Sequence, residues 1–211
     1  MTETKLPISQ EQQYKYKYCG TLPISYDPIA CTVVVLLGRE LIVDGWSESG
    51  KWSDWGGTPE KLETKLETPL ETSARETSEE MMDMLGTYEE LKDMLTNKGK
   101  CVELAQFEEK AAIWLLPIKF QPDIGLYFNR VYNYLRKCTR SHPEWKGAKY
   151  IPTCPKGYIE KCEMKWFPLS AIKTKSDIFR SSFLISMEKI IPIIDGLYPT
   201  IYSTVFLDGL I

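Results

Sequence analysis

Thr68-Pro69-Leu70-Glu71 fixes the start of a helix more firmly than any other local signal in this chain. Threonine caps the first N–H groups, proline already holds the helical φ at the first position, and the glutamate reaches back to the cap's own N–H. Gly86 predicts the end of the run. Between these limits Leu70, Ala74, Met81 and Leu85 share one side, which predicts a buried face. Glu76, Glu79 and Glu80 fall at about 0°, 300° and 40° around the axis, within an arc of roughly 100°. Carboxylates so close repel one another unless a cation lies between them. A hard divalent ion such as Mg2+ or Mn2+ accepts oxygen ligands and binds phosphate alongside. By itself Arg75-Glu-x-x-Glu-Glu is more often a solvated acidic face, so its surroundings decide. Just upstream, Trp52-Ser-Asp-Trp55-Gly56-Gly57 lets the backbone pass close to a metal and offers the Gly56 carbonyl as a ligand.

The net charge of −3 hides an asymmetry. From Thr58 to Leu95 there are eleven Asp/Glu against four Lys/Arg, and from Arg130 to Lys165 nine Lys/Arg against three Glu. An acidic and a basic segment in one chain suit a protein that holds cations and phosphates together. The polar start MTETKLPISQEQQ lacks the apolar core of a secretory leader, and no apolar run approaches a membrane span. Six scattered cysteines fit reduced thiols, and the expected setting is cytoplasmic. Cys138, His142, Cys154 and Cys162 could form a zinc site, but no pair has the tight spacing such sites use, and unconnected thiols are the expectation. His142 is the sole histidine, which leaves Ser-His-Asp and Cys-His chemistry a single base in a Pro-flanked loop.

The periodicity predicts a polar lead-in over residues 1–17, a buried strand Ile29–Leu37 and a hairpin partner Glu40–Trp46, then a loop from Ser47 to Gly57. After the acidic helix come a short helix at Tyr88–Leu95 and a turn through Gly99. A strand at Ala111–Phe120, a helix at Asp123–Cys138 and a loop at Thr139–Pro155 follow. A strand at Tyr158–Phe167 and a helix at Asp177–Ile191 ended by Pro192 complete the expected order. Strands and helices mixed without regular alternation predict an α+β fold, an α/β/α sandwich around a mixed sheet. The length suits a single domain with a core over about 19–191, a helical insertion over about 121–157 and a C-terminal tail over 192–211.

At this point the residues resemble a family, the Nudix hydrolases, whose box reads G-x5-E-x7-R-E-U-x-E-E-x-G-U with U a bulky aliphatic. Glu67-x7-Arg75-Glu76-x-x-Glu79-Glu80 matches its second half in register. The first half is four residues too long between Gly57 and Glu67. A tetrapeptide runs three times here, Leu62-Glu-Thr-Lys, Leu66-Glu-Thr-Pro and Leu70-Glu-Thr-Ser, and removing one copy restores the spacing. Four added loop residues cost little closure entropy. The extra unit is therefore expected to loop out before Thr68, leaving the Gly56 carbonyl beside Glu76, Glu79 and Glu80. Thr77 stands where the box has an aliphatic residue and Met82 where it has glycine. The likeness extends to CGTLPI…VVVLLGRE…WSDWGG upstream and to YIEKCEMKWFPLSAI downstream, as in many eukaryotic and viral members.

The resemblance implies that Glu76, Glu79 and Glu80 hold Mg2+ or Mn2+, with the Gly56 carbonyl as a further ligand. Arg75 would orient them through a salt bridge to Glu67 or Glu71. Glu160 or Glu163 would complete the site or act as base, and strand alternation lets only one reach it; Glu160 is favoured. The implied reaction is hydrolysis of a diphosphate linkage in a nucleoside diphosphate joined to some group X. Aromatic and basic residues interleave between Gln121 and Gly157, the combination that binds single-stranded RNA, although aromatics packed on the sheet would look the same. Arg39, Arg130, Tyr134 and Lys137 are candidate substrate contacts. A nucleotide or the 5′ cap of an mRNA is the expected partner, with dinucleoside polyphosphates, diphosphoinositol polyphosphates or an inactive nucleotide- or RNA-binding module as alternatives.

Overall fold

The computed structural model describes residues 16–106, 109–140 and 157–207. Along them run β1 (Tyr16–Asp27), β2 (Thr32–Glu40), β3 (Trp52–Ser53), β4 (Trp55–Gly57), α1 (Pro69–Glu80), α2 (Tyr88–Asn97) and β5 (Lys100–Gln106). Then come β6 (Glu109–Pro117), α3 (Ile124–Arg140), β7 (Lys161–Pro168), α4 (Leu169–Thr174) and α5 (Ser181–Leu207). The strands form one mixed sheet around β1, which runs parallel to β6 and antiparallel to both β2 and β4. These two neighbours divide β1 between them: Cys19–Thr21 face β4, and Ile24–Asp27 face β2. β7 lies antiparallel on the far side of β2. The sheet therefore forks between β4 and β2, and α1 lies over β1 and β4 at the fork.

Alternation along β2 sends Val35 and Leu37 to one face and Leu36 to the other, all fully buried, as a strand covered on both sides requires. The first face packs on Phe179, Phe183, Met187, Ile190 and Ile194, from α5 and the turn before it. On the opposite face Trp55 meets Met81, Phe128 and Met164, while Ala74 packs with Leu91, Leu95 and Leu116. Helices thus cover both faces of a mixed sheet, the α/β/α layering expected from the pattern.

Several boundaries differ from the sequence reading. The strand expected at Ile29 begins at Thr32, after a turn in which Cys31 has φ 50°. Its hairpin partner is the preceding β1, because the chain beyond Glu40, the last residue of β2, leaves the sheet and turns with Gly45 at φ 81°. The expected Ser47–Gly57 loop contains β3 and β4, and β5 pairs with β6 where no strand was expected. Pro192 does not end the last helix. It is exposed while Ile190, Ile191 and Ile194 are buried, so the missing N–H lies toward water and packing carries α5 onward. The strand expected from Tyr158 starts at Lys161, after a turn. The supposed insertion is in part core, since Ile124, Phe128 and Tyr132 of α3 are buried. The Cys138–His142–Cys154–Cys162 grouping falls largely outside the described residues.

Candidate active site

α1 starts where its signal predicts. Thr68 Oγ1 accepts from the Glu71 N–H at 3.2 Å, and Glu71 Oε2 accepts from the Thr68 N–H at 2.9 Å. Thr68→Ala removes the hydroxyl that caps the Glu71 N–H, keeps the backbone N–H that Glu71 accepts from, and should cost about 1 kcal/mol in a urea titration. The connection before it doubles back: Lys61 bridges Leu66, the Leu62 N–H donates to the Lys65 carbonyl at 2.8 Å, and the Glu67 N–H donates to the Glu60 carbonyl at 3.0 Å. Leu62–Lys65 is therefore the tip of a small hairpin, one LETx unit long. The backbones on either side of it are already paired, so the surplus length loops out without moving either end. Deleting Leu62–Lys65 loses the half-exposed Lys65–Glu71 ion pair, worth less than about 1 kcal/mol. The shortened chain should keep its far-UV spectrum and melt within a few degrees of the wild type.

The returning chain presents Glu67 to Arg75. Both oxygens of Glu67 take the guanidinium, Nε at 2.8 Å and Nη2 at 3.0 Å, a bidentate pair that fixes its plane. Nη1 then reaches Glu79 Oε2 at 2.9 Å, and Nη2 reaches Glu76 Oε1 at 2.9 Å. Of the two partners proposed for Arg75, Glu67 is the one used. Glu71 is occupied by the cap and by Lys65. Thr77, in place of an aliphatic residue, is fully buried; its hydroxyl lies 2.8 Å from that of Thr21 and donates to the Ser73 carbonyl at 2.6 Å. Met82 has φ 53°, a left-handed conformation that glycine adopts without strain. Burial of its side chain beside Met81 holds it there.

Both glycines meet the helix, but Gly56 presents its N–H to the glutamates where its carbonyl was expected. The Gly56 N–H donates to Glu80 Oε2 at 2.9 Å. A Cβ on Gly57 would lie 2.4 Å from Glu76 Oε1. Gly57→Ala should push Glu76 away while leaving the sheet paired, a displacement readable in the Glu76 side-chain resonances. Gly157, with φ 90°, packs on Glu79, whose Cβ would lie 2.7 Å from an added Cβ, and Tyr158 hydrogen-bonds Asp83 just beyond the helix end. This turn carries Glu160 to where its charge raises the pKa of Glu76, a smaller effect than the burial that raises it most. Glu163 instead pairs with Arg39 at 3.0 Å, across the β2–β7 register. Arg39 also donates to the Gly50 carbonyl at 2.8 Å. Arg130, Tyr134 and Lys137 stand on the exposed side of α3.

Beneath the glutamates lies a group that local sequence reading missed. Lys161 is 1 % exposed and its ammonium meets Glu40 at 2.5 Å, Ser53 Oγ at 2.9 Å and Glu80 at 3.4 Å. Arg180 pairs with Glu40 at 3.0 Å, and Asp54 is buried nearby within reach of both bases. Three buried acids thus face two bases. Burial pushes Glu80 up to about 8 and raises Asp54 as well, while Glu40 stays below its ordinary value because Lys161 and Arg180 outweigh its burial.

As placed, no three acidic, thiol or imidazole groups among the described residues form a ready metal cage, since Glu76 and Glu79 are drawn onto Arg75. The donor set nevertheless fits a hard cation. It is all carboxylate oxygen, it carries one more acid than base in its buried layer, and burial has raised the pKa of Glu76 and Glu80. A divalent ion would replace the proton that Glu80 holds below about pH 8. Stabilisation by Mn2+ should accordingly grow between pH 6.5 and pH 8.5 in a thermal-shift series.

A scan of the sequence against protein families finds no match, and a search of curated proteins finds none either. Similar solved structures include a mutT/nudix family protein from Listeria innocua, 14% identical, covering 87% of this chain and 96% of that one with a TM-score of 0.47. An Ap4A hydrolase from C. elegans, solved as a binary complex, is also 14% identical over 86% of this chain and 98% of that one, TM-score 0.44. A MutT/nudix family protein from Enterococcus faecalis is 14% identical over 79% of this chain and 47% of that one, TM-score 0.41.

Proposed function

We propose that this chain is a divalent-metal-dependent Nudix hydrolase that cleaves a diphosphate linkage in a nucleoside diphosphate joined to a group X, with the 5′ cap of an mRNA as the favoured X. The observation that carries the reading is the grip of Arg75 on Glu67, Glu76 and Glu79, beside a Gly56–Gly57 turn that meets Glu76 and Glu80. The Leu62–Lys65 tip takes up four residues between backbones that are already paired, which supports reading the chain against the box despite its longer spacing.

Glu76, Glu79 and Glu80, with the Gly56 carbonyl and Glu160, would hold the ions. Bound Mg2+ or Mn2+ neutralises charge on bridging phosphates and lowers the pKa of the attacking water. Arg75 keeps Glu76 and Glu79 oriented. Glu160, exposed at the turn before β7 and near Glu76, is the group suited to accept the water's proton. Interleaved Arg130, Tyr134 and Lys137 on α3 favour an RNA-bearing X, through stacking and phosphate contact.

The test is metal-dependent product release from a panel that includes capped RNA, a dinucleoside polyphosphate and a diphosphoinositol polyphosphate, with Glu79→Gln as control. No turnover on any substrate, or equal turnover by the variant, rejects the reading. Turnover of the small molecules but not capped RNA would reject the cap alone.

A further inference from the structure

The chain leaves α1 through two successive left-handed residues that carry side chains, Met82 at φ 53° and Asp83 at φ 57°. Such a backbone is uphill for any residue but glycine, and it persists only where the surroundings hold it. Aspartate bears it better than most, because its short polar side chain bonds locally. Here the Asp83 N–H donates to the Ser78 carbonyl at 2.9 Å, and the Ser78 hydroxyl donates to Asp83 Oδ1. The second oxygen, Oδ2, accepts from the hydroxyl of Tyr158, 75 residues along the chain. Tyr158 belongs to the turn Gly157–Glu160, which precedes β7 and lies outside the sheet, since pairing with β2 begins at Lys161. The turn is held instead against α1. Gly157 lies on the Glu79 Cβ, Tyr158 and Ile159 pack against the cluster around Met81 and Met82, and the Glu160 N–H closes the turn on the Gly157 carbonyl at 3.2 Å. Glu160 itself is exposed, so burial does not place its carboxylate near Glu76; the turn does.

We propose that Tyr158 is a positioning residue for the reaction: through Asp83 its hydroxyl clasps the Gly157–Glu160 turn to the end of α1 and so fixes Glu160 beside Glu76. The inference rests on the hydrolase reading, with Glu160 as the base. A base works only within hydrogen-bond reach of the proton it takes, and a misplacement of about 1 Å costs about 100-fold in rate. The left-handed exit from α1 gains a use by the same argument, because it is the conformation from which Asp83 bonds Ser78 behind it and Tyr158 in front.

Tyr158→Phe keeps the packed ring and removes only the hydroxyl, and Asp83→Gly removes both side-chain hydrogen bonds while suiting φ 57°. Each should lower kcat by about tenfold on whichever substrate is turned over, with KM changed less than about threefold. Asp83→Asn, which can accept from Tyr158 and donate to Ser78, should recover most of that loss. In metal-free protein the Glu160 amide should exchange with solvent about tenfold faster in Tyr158→Phe than in the wild type. Added to Glu160→Gln, Tyr158→Phe should cost no further turnover, because the group it places is already gone. Losses that multiply in the double variant overturn the proposal, as does amide exchange at the wild-type rate. Wild-type turnover by Tyr158→Phe, or by Glu160→Gln, also overturns it and spares the hydrolase. Faster exchange in a chain that turns over no substrate overturns the hydrolase reading, and the role of Tyr158 in catalysis with it.

Discussion

Lys161→Met should cost the fold about 3–5 kcal/mol, the range for stripping one partner from a buried ion pair. In a domain of this size each kcal/mol lowers the melting temperature by about 2–4 °C, so the variant should melt roughly 10 °C early. Lys161 is fully buried, and although burial pulls its pKa down, Glu80 and Glu40 outweigh that and raise it. Methionine fills the same volume but leaves Glu40, Asp54 and Glu80 with Arg180 alone. The loss should also depend on pH, with a definite sign. Glu80 has a folded pKa of about 8 against an ordinary 4.5, so between those values the folded form holds a proton that the unfolded form has lost. Stability therefore falls as pH rises through that window. Without the ammonium the need for protons grows, and Lys161→Met should be less impaired at pH 5 than at pH 8. Adding Glu80→Gln removes one of the stranded charges and should return part of the stability at pH 8. A pH-independent loss would mean that packing, not charge, is what Lys161 supplies.

What was legible in the sequence was what is local. The cap at Thr68, the proline at the first helical position and the arc of Glu76, Glu79 and Glu80 are all set within one helix, and the structure has them where the pattern predicts. The looped-out tetrapeptide could be foreseen because closing a slightly longer loop costs little. β1 was not set out from the periodicity because its first residues, Tyr16 and Lys17, read as polar lead-in, and β5 because its strand pattern is half exposed. Pro192 misled because a helix-breaking residue was weighed without the sheet that holds the helix down. The buried charge group lay beyond reach for a deeper reason. Glu40, Asp54, Lys161 and Arg180 come from four separate segments, and each alone looks like a surface residue. The nearest available signal was Lys161 itself, an ammonium at the start of an otherwise half-apolar strand. Alternation could not separate Glu160 from Glu163, because Glu160 lies in the turn before β7; what sets them apart in the structure is Arg39, which pairs with Glu163 from the next strand.

Glu79→Gln should lower kcat by at least about 100-fold while leaving the fold intact. The change keeps the shape of the side chain, and the amide oxygen can still accept from Arg75 Nη1, which now meets Glu79 Oε2 at 2.9 Å. What is lost is the negative charge, the property a hard cation binds. Far-UV spectrum and metal-free melting temperature should thus be nearly those of the wild type, and stabilisation by Mn2+ should shrink. A second pair of variants assigns the distal carboxylate. Glu160→Gln, at the turn pressed on the end of α1, should cut turnover by tenfold or more. Glu163→Gln, on the Arg39 side, should change turnover less than twofold and cost only the small worth of a half-exposed ion pair. The reverse ranking would put Glu163 in the site and require Arg39 to release it. Equal, small effects from both would leave Glu76, Glu79 and Glu80 without a fourth carboxylate, and the base would then have to be sought among those three.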